Sequence, residues 1–383
     1  MRVLIVGGGV IGLSVAWRAA QRGLDVTVVD PAPGSGASAT AAGMLAPVTE
    51  LHFEGRDLHA LNLASARRYP AFAAELADAT GLDVGLRETG TIQVAWDAAD
   101  LAALRQLHGF HESLGVVSSM LTSRELRSME PALAAGLPGG LWAAEDHQID
   151  NRRLHAALLV AAQKAGVAFV ADRVASAATA GGRVTGVTTE SGERLDADVT
   201  VLAAGAWSRS IGGLPAEALP PVRPVKGQTL RLRVRSSVID HVVRGSVKGN
   251  HVYVVPRADG EVVIGASNEE AGFDLRPRAG VVYELLRDAA TLVPELTEAE
   301  FVEVSTSVRP GTPDNAPLLG ASAVDGLILA TGHYRNGILL TPVTADEIAD
   351  LLVSGTPSDL IAPFAPARFA RAQQGGIEHA AHG

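Results

Sequence analysis

The sequence predicts an α/β protein: a Rossmann-like, dinucleotide-binding domain interleaved with a second domain built on a mostly antiparallel sheet. Three observations predict it. Arg2 to Val6 reads RVLIV, an unbroken apolar run suited to a buried parallel strand, and it enters GGGVIG at residues 7 to 12 without a spacer. A helical stretch closed by Gly23 follows, then a second apolar run, Asp25 to Val29, ending at Asp30, so the chain opens on a complete βαβ unit. Residues 222 to 304 instead alternate with period two, as in Thr229 to Val234 and His251 to Val255, which is the pattern of antiparallel strands. A chain of 383 residues has room for two domains.

The glycines of the first turn each have a distinct use. Gly7 allows the tight turn, Gly9 lets a pyrophosphate approach the backbone, and Gly12 lets helix and strand pack closely. The diphosphate then meets free N–H groups at the positive end of the helix. Asp30, at the end of the second strand, can accept from a ribose hydroxyl. This fingerprint serves NAD and FAD alike.

Pro33 to Pro47, PGSGASATAAGMLAP, is small and almost uncharged, and Met44 and Leu45 within it indicate a loop pressed against something. A helix is predicted over 57–80, interrupted at Pro70. Thr89 to Val94 reads as a strand, 98–115 as a helix, and Leu121 to Ala132 as a second helix. Asn151 to Gly166 is helical, Val167 to Val170 and Val184 to Thr189 are strand-like, and Val199 to Ala203 is an apolar strand running into Gly205. A last helix begins around Ile338 and runs through Val353, and the final stretch, QQGGIEHAAHG, reads as frayed. These elements divide the chain into a dinucleotide-binding domain from 1–88, 142–220 and 305–383, and a substrate-binding domain from 89–141 and 221–304.

Composition narrows the function. The chain is 47% hydrophobic and 19% charged, ordinary for a globular protein with a sizeable core. A net charge of -10 disfavours nucleic acid as the main partner, because such binders carry a basic face. The absence of cysteine excludes disulfides, thiolate metal sites and cysteine nucleophiles, and fits a reducing, cytoplasmic compartment. The first residues, MRVLIVGGGVIGLSVAW, share an apolar run with signal peptides, but the glycine trio and strand-like start argue against one. No run is long and apolar enough for a membrane span.

Four places are candidates for chemistry. LILATGHYRNGILL, residues 327–340, carries His333, Tyr334, Arg335 and Asn336 between Gly332 and Gly337, an unusual load for a plain turn. Arg309, in VRPGT, reads either as a surface residue or as a planar fork for a carboxylate. Tyr253 lies on an alternating strand, as a core aromatic or a pocket hydroxyl, and His251 shares its face by period two. His108 and His111 are solvated helix histidines rather than metal ligands, since no organised acid or cysteine accompanies them. There is no P-loop and no convincing Ser-His-Asp arrangement.

The fingerprint, the 38–47 loop, HVYVVPR at 251–257, RPGTPD at 309–314 and GHYRNGI at 332–338 stand in one order. So arranged, the chain resembles the D-amino-acid oxidase superfamily of FAD proteins, and within it the glycine oxidases of thiamine biosynthesis. The resemblance implies FAD bound in an extended form. It puts Val10, Ile11, Asp30 and Pro31 near the AMP half, and Ala37, Ser38, Ala42, Gly43 and Met44 along the diphosphate and flavin. Val174 falls at the adenine, Gly205 on the segment returning under the cofactor, and His333 to Leu339, with Ile338 between, beside the isoalloxazine. Arg309 matches the carboxylate-binding arginine, Tyr253 the pocket tyrosine, Arg335 a second active-site arginine and His251 a less critical pocket position. The segment ASNEEAGFD after Gly265 lines the pocket in relatives and varies.

The implied chemistry is oxidative deamination of glycine, with sarcosine, D-alanine and D-proline as side substrates. Its products are a 2-oxo acid, ammonia and, from dioxygen, hydrogen peroxide, and no side chain acts as acid or base. The glycine imine would feed the thiazole of thiamine through a thiazole synthase, and relatives suggest a homotetramer. Two alternatives stand beside it: a dehydrogenase of the same superfamily passing electrons to a quinone or carrier, and a NAD-binding protein without flavin.

Overall fold

The computed structural model describes residues 1–51 and 55–369; the stretch expected to fray lies outside them. The opening βαβ unit forms as expected, with strand Arg2–Val6, helix Val10–Gln21 and strand Asp25–Val29. It sits at the centre of a six-stranded sheet ordered Leu318–Ala321, Leu327–Thr331, Val199–Leu202, Arg2–Val6, Asp25–Val29, Ala168–Val170. All neighbours are parallel except Leu318–Ala321, which returns antiparallel to Leu327–Thr331. Period two decides what each face meets. Val3, Ile5, Val28 and Val201 turn toward helices Val10–Gln21, Asn151–Lys164, Arg56–Thr80 and Thr341–Ser354, whose Leu13, Trp17, Leu158 and Val343 join them in one core. Leu4, Val6, Val29 and Leu202 turn the other way, onto the three-stranded sheet Val174–Ala180, Arg183–Thr189, Arg194–Asp196.

The second body is an eight-stranded sheet, ordered Glu300–Gly311, Arg223–Arg233, Glu261–Gly265, Asn250–Pro256, Val242–Val247, Thr91–Ala95, Gly139–Ala143, Ser119–Thr122. Every pair is antiparallel except Val242–Val247 with Thr91–Ala95. Its edge strand Glu300–Gly311 pairs Arg309 with Val225 and then leads, seven residues on, into Leu318–Ala321 of the six-stranded sheet. Arg309 therefore stands where the chain crosses between the bodies.

Four expectations need correction. Helix Arg56–Thr80 is continuous through Pro70, which lies on its exposed face while Tyr69, Phe72 and Ala73 are buried, so packing on both sides carries the helix through. Leu121 to Ala132 is not one helix: strand Ser119–Thr122 comes first, and helix Ser123–Met129 starts at a capping box between Thr122 and Glu125. Helix Ala279–Leu292 lies inside the stretch read as largely antiparallel sheet; Leu285, Ala289 and Leu292 form its buried stripe, a 3.6 period hidden between period-two flanks. The last helix begins at Thr341, not Ile338, because Gly337 to Leu340 first makes a turn in which Leu340 N donates to Asn336 O at 2.8 Å.

That turn is held from outside. Ser65 Oγ donates to Leu339 O at 2.6 Å, and the Tyr69 hydroxyl donates to Ile338 O, both from helix Arg56–Thr80. These carbonyls precede the helix, and Ile338 O accepts in addition from Thr341 N at 3.2 Å. Among the described residues no helix is long and apolar enough to cross a membrane. Tyr69→Phe leaves the Ile338 carbonyl with the Thr341 N–H alone and is predicted to lower unfolding free energy by about 0.5–1.5 kcal/mol. Urea denaturation measures it, and an unchanged midpoint would refute the clamp.

Candidate active site

A cavity of about 670 Å³ runs from the glycine turn of the first βαβ unit to Arg309 and Tyr253 on the eight-stranded sheet. At the first end the glycines are sterically required. Gly7 has φ +110°, and a Cβ there would stand 2.5 Å from Ala203 O; one on Gly12 would stand 1.9 Å from Gly7 O. Gly12 thus packs helix on strand and does not itself line the cavity, whereas Gly7, Gly9, Val10, Ile11, Asp30 and Pro31 do. The Asp30 carboxylate accepts from Gly8 N at 2.7 Å and Ala32 N at 2.8 Å, which fixes the turn and leaves lone pairs for a ribose. Val10 N, in the first turn of the helix, donates to Ser38 Oγ at 3.1 Å. Val174 lines the same end beside Arg173 and Glu190, neither of which the sequence singled out.

The 37–47 loop is pressed against the cavity, as its composition indicated. Ala37, Ser38, Ala42, Gly43 and Met44 all line it. Gly43 has φ +75°, and a Cβ there would stand 1.9 Å from Ile149 O. Behind the loop lies Arg257, only 6% exposed. It donates to Ala42 O at 2.6 Å, and to Ile149 O and Gln148 Oε1 at 3.0 Å each. Burial lowers its pKa to about 10. Arg257 ends the HVYVVPR motif, and the sequence offered no role for it. Tyr253, Val255 and Arg257 share one strand face, on which Tyr253 and Val255 cluster with Ala42.

Arg309 reaches the far end of the cavity. Its Nη1 donates to Ser267 O at 3.1 Å, and among the described residues no carboxylate forms an ion pair with it. Burial pushes its pKa down from the usual arginine value. Gly227 makes room: a Cβ there would stand 2.6 Å from Arg309 Nη2. Gly265 does the same for Tyr253, whose hydroxyl would meet such a Cβ at 2.2 Å. Burial raises the Tyr253 pKa, so its hydroxyl is a donor at neutral pH. His251 does not join them: it is exposed and outside the cavity lining, because its strand has by then reached the surface.

The 332–340 segment separates its side chains. His333, Tyr334, Arg335, Asn336, Gly337, Ile338 and Leu339 line the cavity, as does Gly205; Gly332 does not, and a Cβ there would collide with Thr312 Cγ2 at 2.6 Å. Tyr334 has φ +48° and donates its N–H to Pro310 O at 3.1 Å. Arg335 pairs through Nε with Glu50 Oε2 at 3.4 Å, which raises its pKa. Glu50 also meets Arg244 Nη2 at 2.7 Å through Oε1. Glu50 lines the cavity, and sequence reasoning missed it because nothing local marks a glutamate at the end of a loop. His108 and His111 both contact Ser118 Oγ, but His111 is fully buried rather than solvated, because it faces inward from its helix; among the described residues no group of side chains could hold a metal.

A family model described as FAD dependent oxidoreductase matches residues 2–351. The chain belongs to this family. It is 36% identical over 371 residues to a glycine oxidase from Geobacillus kaustophilus, covering 96% of each chain. The crystal structure of glycine oxidase from that organism superposes with a TM-score of 0.88 over 96% of this chain and 99% of the other. A bifunctional protein ThiO/ThiG from Nostoc sp. is also 36% identical, over 364 residues, but the chain spans only 54% of its length. The resemblance read from the motifs is borne out, and FAD is the cofactor of the family to which the chain belongs. The residues fit that group: Gly7 and Gly43, which tolerate no Cβ, a helix start, an acid after the second strand and a loop of small residues border one continuous cavity.

His333 adds a pH dependence. It is 3% exposed, contacts Thr344 Oγ1 through Nε2 at 3.0 Å, and burial pushes its pKa down to about 3. In the unfolded chain it titrates at 6.5. The unfolded chain therefore gains a proton that the folded chain refuses. The associated stability is complete above pH 6.5 and drains away as pH falls toward 3. In His333→Asn the loss of unfolding free energy between pH 7 and 4.5 is predicted to shrink by about 2–3 kcal/mol. Denaturant titrations at each pH read this, and parallel curves for the two proteins would exclude His333 as the source.

Proposed function

We propose that this chain oxidises glycine and other small amino acids bearing one carboxylate, with FAD as cofactor and dioxygen as acceptor. The observation that carries the reading is Arg309: a guanidinium with no carboxylate partner among the described residues, turned into the cavity that begins at the dinucleotide turn. A desolvated cation without a partner is costly unless a ligand completes it. A substrate carboxylate would do so with charge-assisted hydrogen bonds, and the Tyr253 hydroxyl would add another. Held at both points, the Cα of a small amino acid has little freedom left, and this orientation supplies much of the rate.

Bound FAD supplies the two-electron acceptor for the hydrogen leaving Cα. Its proposed contacts are Gly7, Gly9, Val10, Ile11, Asp30 and Pro31 at the AMP half, and Ala37, Ser38, Ala42, Gly43 and Met44 along the middle. Val174 would border the adenine, and Gly205 with His333 to Leu339 would border the ring. The amine loses two electrons and two protons to become an imine, which water converts to a 2-oxo acid and ammonia. Dioxygen takes up two electrons and two protons as hydrogen peroxide. For glycine the imine would also serve thiazole formation in thiamine synthesis. The two-part name of the Nostoc ThiO/ThiG relative supports a partner of that kind. We assign 1–88, 142–220 and 305–383 to an FAD-binding domain and 89–141 and 221–304 to a substrate-binding domain, with Arg309 and Arg335 reaching the substrate from the first. The two sheets support this division, although strand Glu300–Gly311 crosses its boundary. The lack of cysteine supports a cytoplasmic location.

Two measurements test this. Peroxide release is expected with glycine and, at differing rates, with sarcosine, D-alanine and D-proline; a protein that stays colourless or releases none overturns the assignment. Arg309→Ala is expected to keep its flavin and lose about 2–5 kcal/mol of substrate interaction, read as kcat/KM. Loss of flavin with unchanged kinetics would remove the role given to Arg309.

A further inference from the structure

We propose that Glu50 sets the charge selectivity of this cavity, by engaging Arg335 and Arg244 so that Arg309 alone receives a carboxylate and a second negative charge is turned away. This rests on reading the cavity as an amino-acid site and narrows it to one substrate class: small amines with one carboxylate and no other anionic group.

The geometry gives Glu50 this position. Its Oε2 meets Arg335 Nε at 3.4 Å and its Oε1 meets Arg244 Nη2 at 2.7 Å. Arg244 is held in turn by Thr49 Oγ1 at 2.9 Å. Thr49 is fixed by the buried Asp146, whose carboxylate accepts from Val48 N at 2.7 Å, Thr49 N at 2.8 Å and Thr49 Oγ1 at 2.5 Å. Glu50 therefore enters the cavity wall from a rigid turn. Arg309, Arg335 and Arg244 all bring positive charge near Tyr253, and Glu50 brings the opposing one.

Two guanidiniums lining one cavity, Arg309 and Arg335, would suit a dicarboxylate, each pairing with one end. Glu50 removes that option by occupying Arg335, whose side chain is still 32% exposed. It also places a negative charge where a second ligand carboxylate would have to sit, and like charges at such range are strongly unfavourable. The same carboxylate favours the amine end of a substrate. Arg335 is thus a brace for Glu50, and Glu50 is a positioning residue that excludes.

The test uses the flavin-loaded enzyme and two competing anions, acetate and malonate, with affinities from calorimetry. Wild type is expected to bind acetate in preference. Glu50→Gln frees Arg335, so malonate should tighten relative to acetate by roughly tenfold or more. The double variant Glu50→Gln with Arg335→Gln should return the ratio to near the wild-type value. A ratio that moves by less than about twofold in Glu50→Gln overturns the proposal, since a merely structural role would weaken both anions together. If Glu50→Gln does not fold, Arg335→Gln decides: malonate must weaken relative to acetate, and an unmoved ratio overturns the proposal equally. Wild type that oxidises glycine while the ratio stays fixed removes the selectivity alone. Wild type that binds neither anion removes the reading of the site as well.

Discussion

A half-buried guanidinium with no carboxylate partner among the described residues is the constraint around which this cavity is arranged. Arg309 comes from the strand through which the chain passes from the eight-stranded sheet to the six-stranded one, so its place is set by both bodies. Gly227 yields the volume it fills, and Gly265 yields the volume for the neighbouring tyrosine. Arg335, which lines the same cavity, is paired with Glu50. Each of these features looks arbitrary alone. Together they keep one cation available and give it a hydroxyl for company.

The dinucleotide end obeys a different rule, that of backbone proximity. Gly7, Gly12 and Gly43 all stand where a methyl group would overlap a carbonyl oxygen. Loop residues that expose so much backbone need their own carbonyls satisfied. Arg257 supplies that for Ala42 and Ile149, and Asn151 Nδ2 does so for Ser38 and Ala39, at 2.7 and 3.1 Å. The loop is thus rigid from behind and smooth in front.

Much of this was legible in the sequence, for physical reasons. The βαβ unit announces itself because turn, strand and helix signals fall within one short window. Arg309 and the 333–339 turn could be picked out because their neighbours are glycines and prolines, which mark unusual backbone, and Tyr253 because it lies on a period-two strand within a motif of the family. Glu50 and Arg257 were not legible, since their roles depend on partners far along the chain: Arg335 for one, Ala42 and Ile149 for the other. His251 was misplaced because period two gives a face but not the point at which a strand leaves the cavity. Helix Ala279–Leu292 was hidden by strands on both sides, and Pro70 was overrated as a breaker because tertiary packing outweighs one lost hydrogen bond.

The strand Asn250–Pro256 and the arginine after it have a consequence for how such a chain can diversify. One face of it sets the pocket hydroxyl at Tyr253, packs the cofactor loop at Val255 and ties down that loop at Arg257. Inserting or deleting a single residue there would turn all three side chains to the opposite side at once. This short stretch therefore acts as a ruler between the two halves of the cavity, and its length is the least negotiable quantity in the protein. Variation in what the enzyme accepts has to come from elsewhere in the cavity lining.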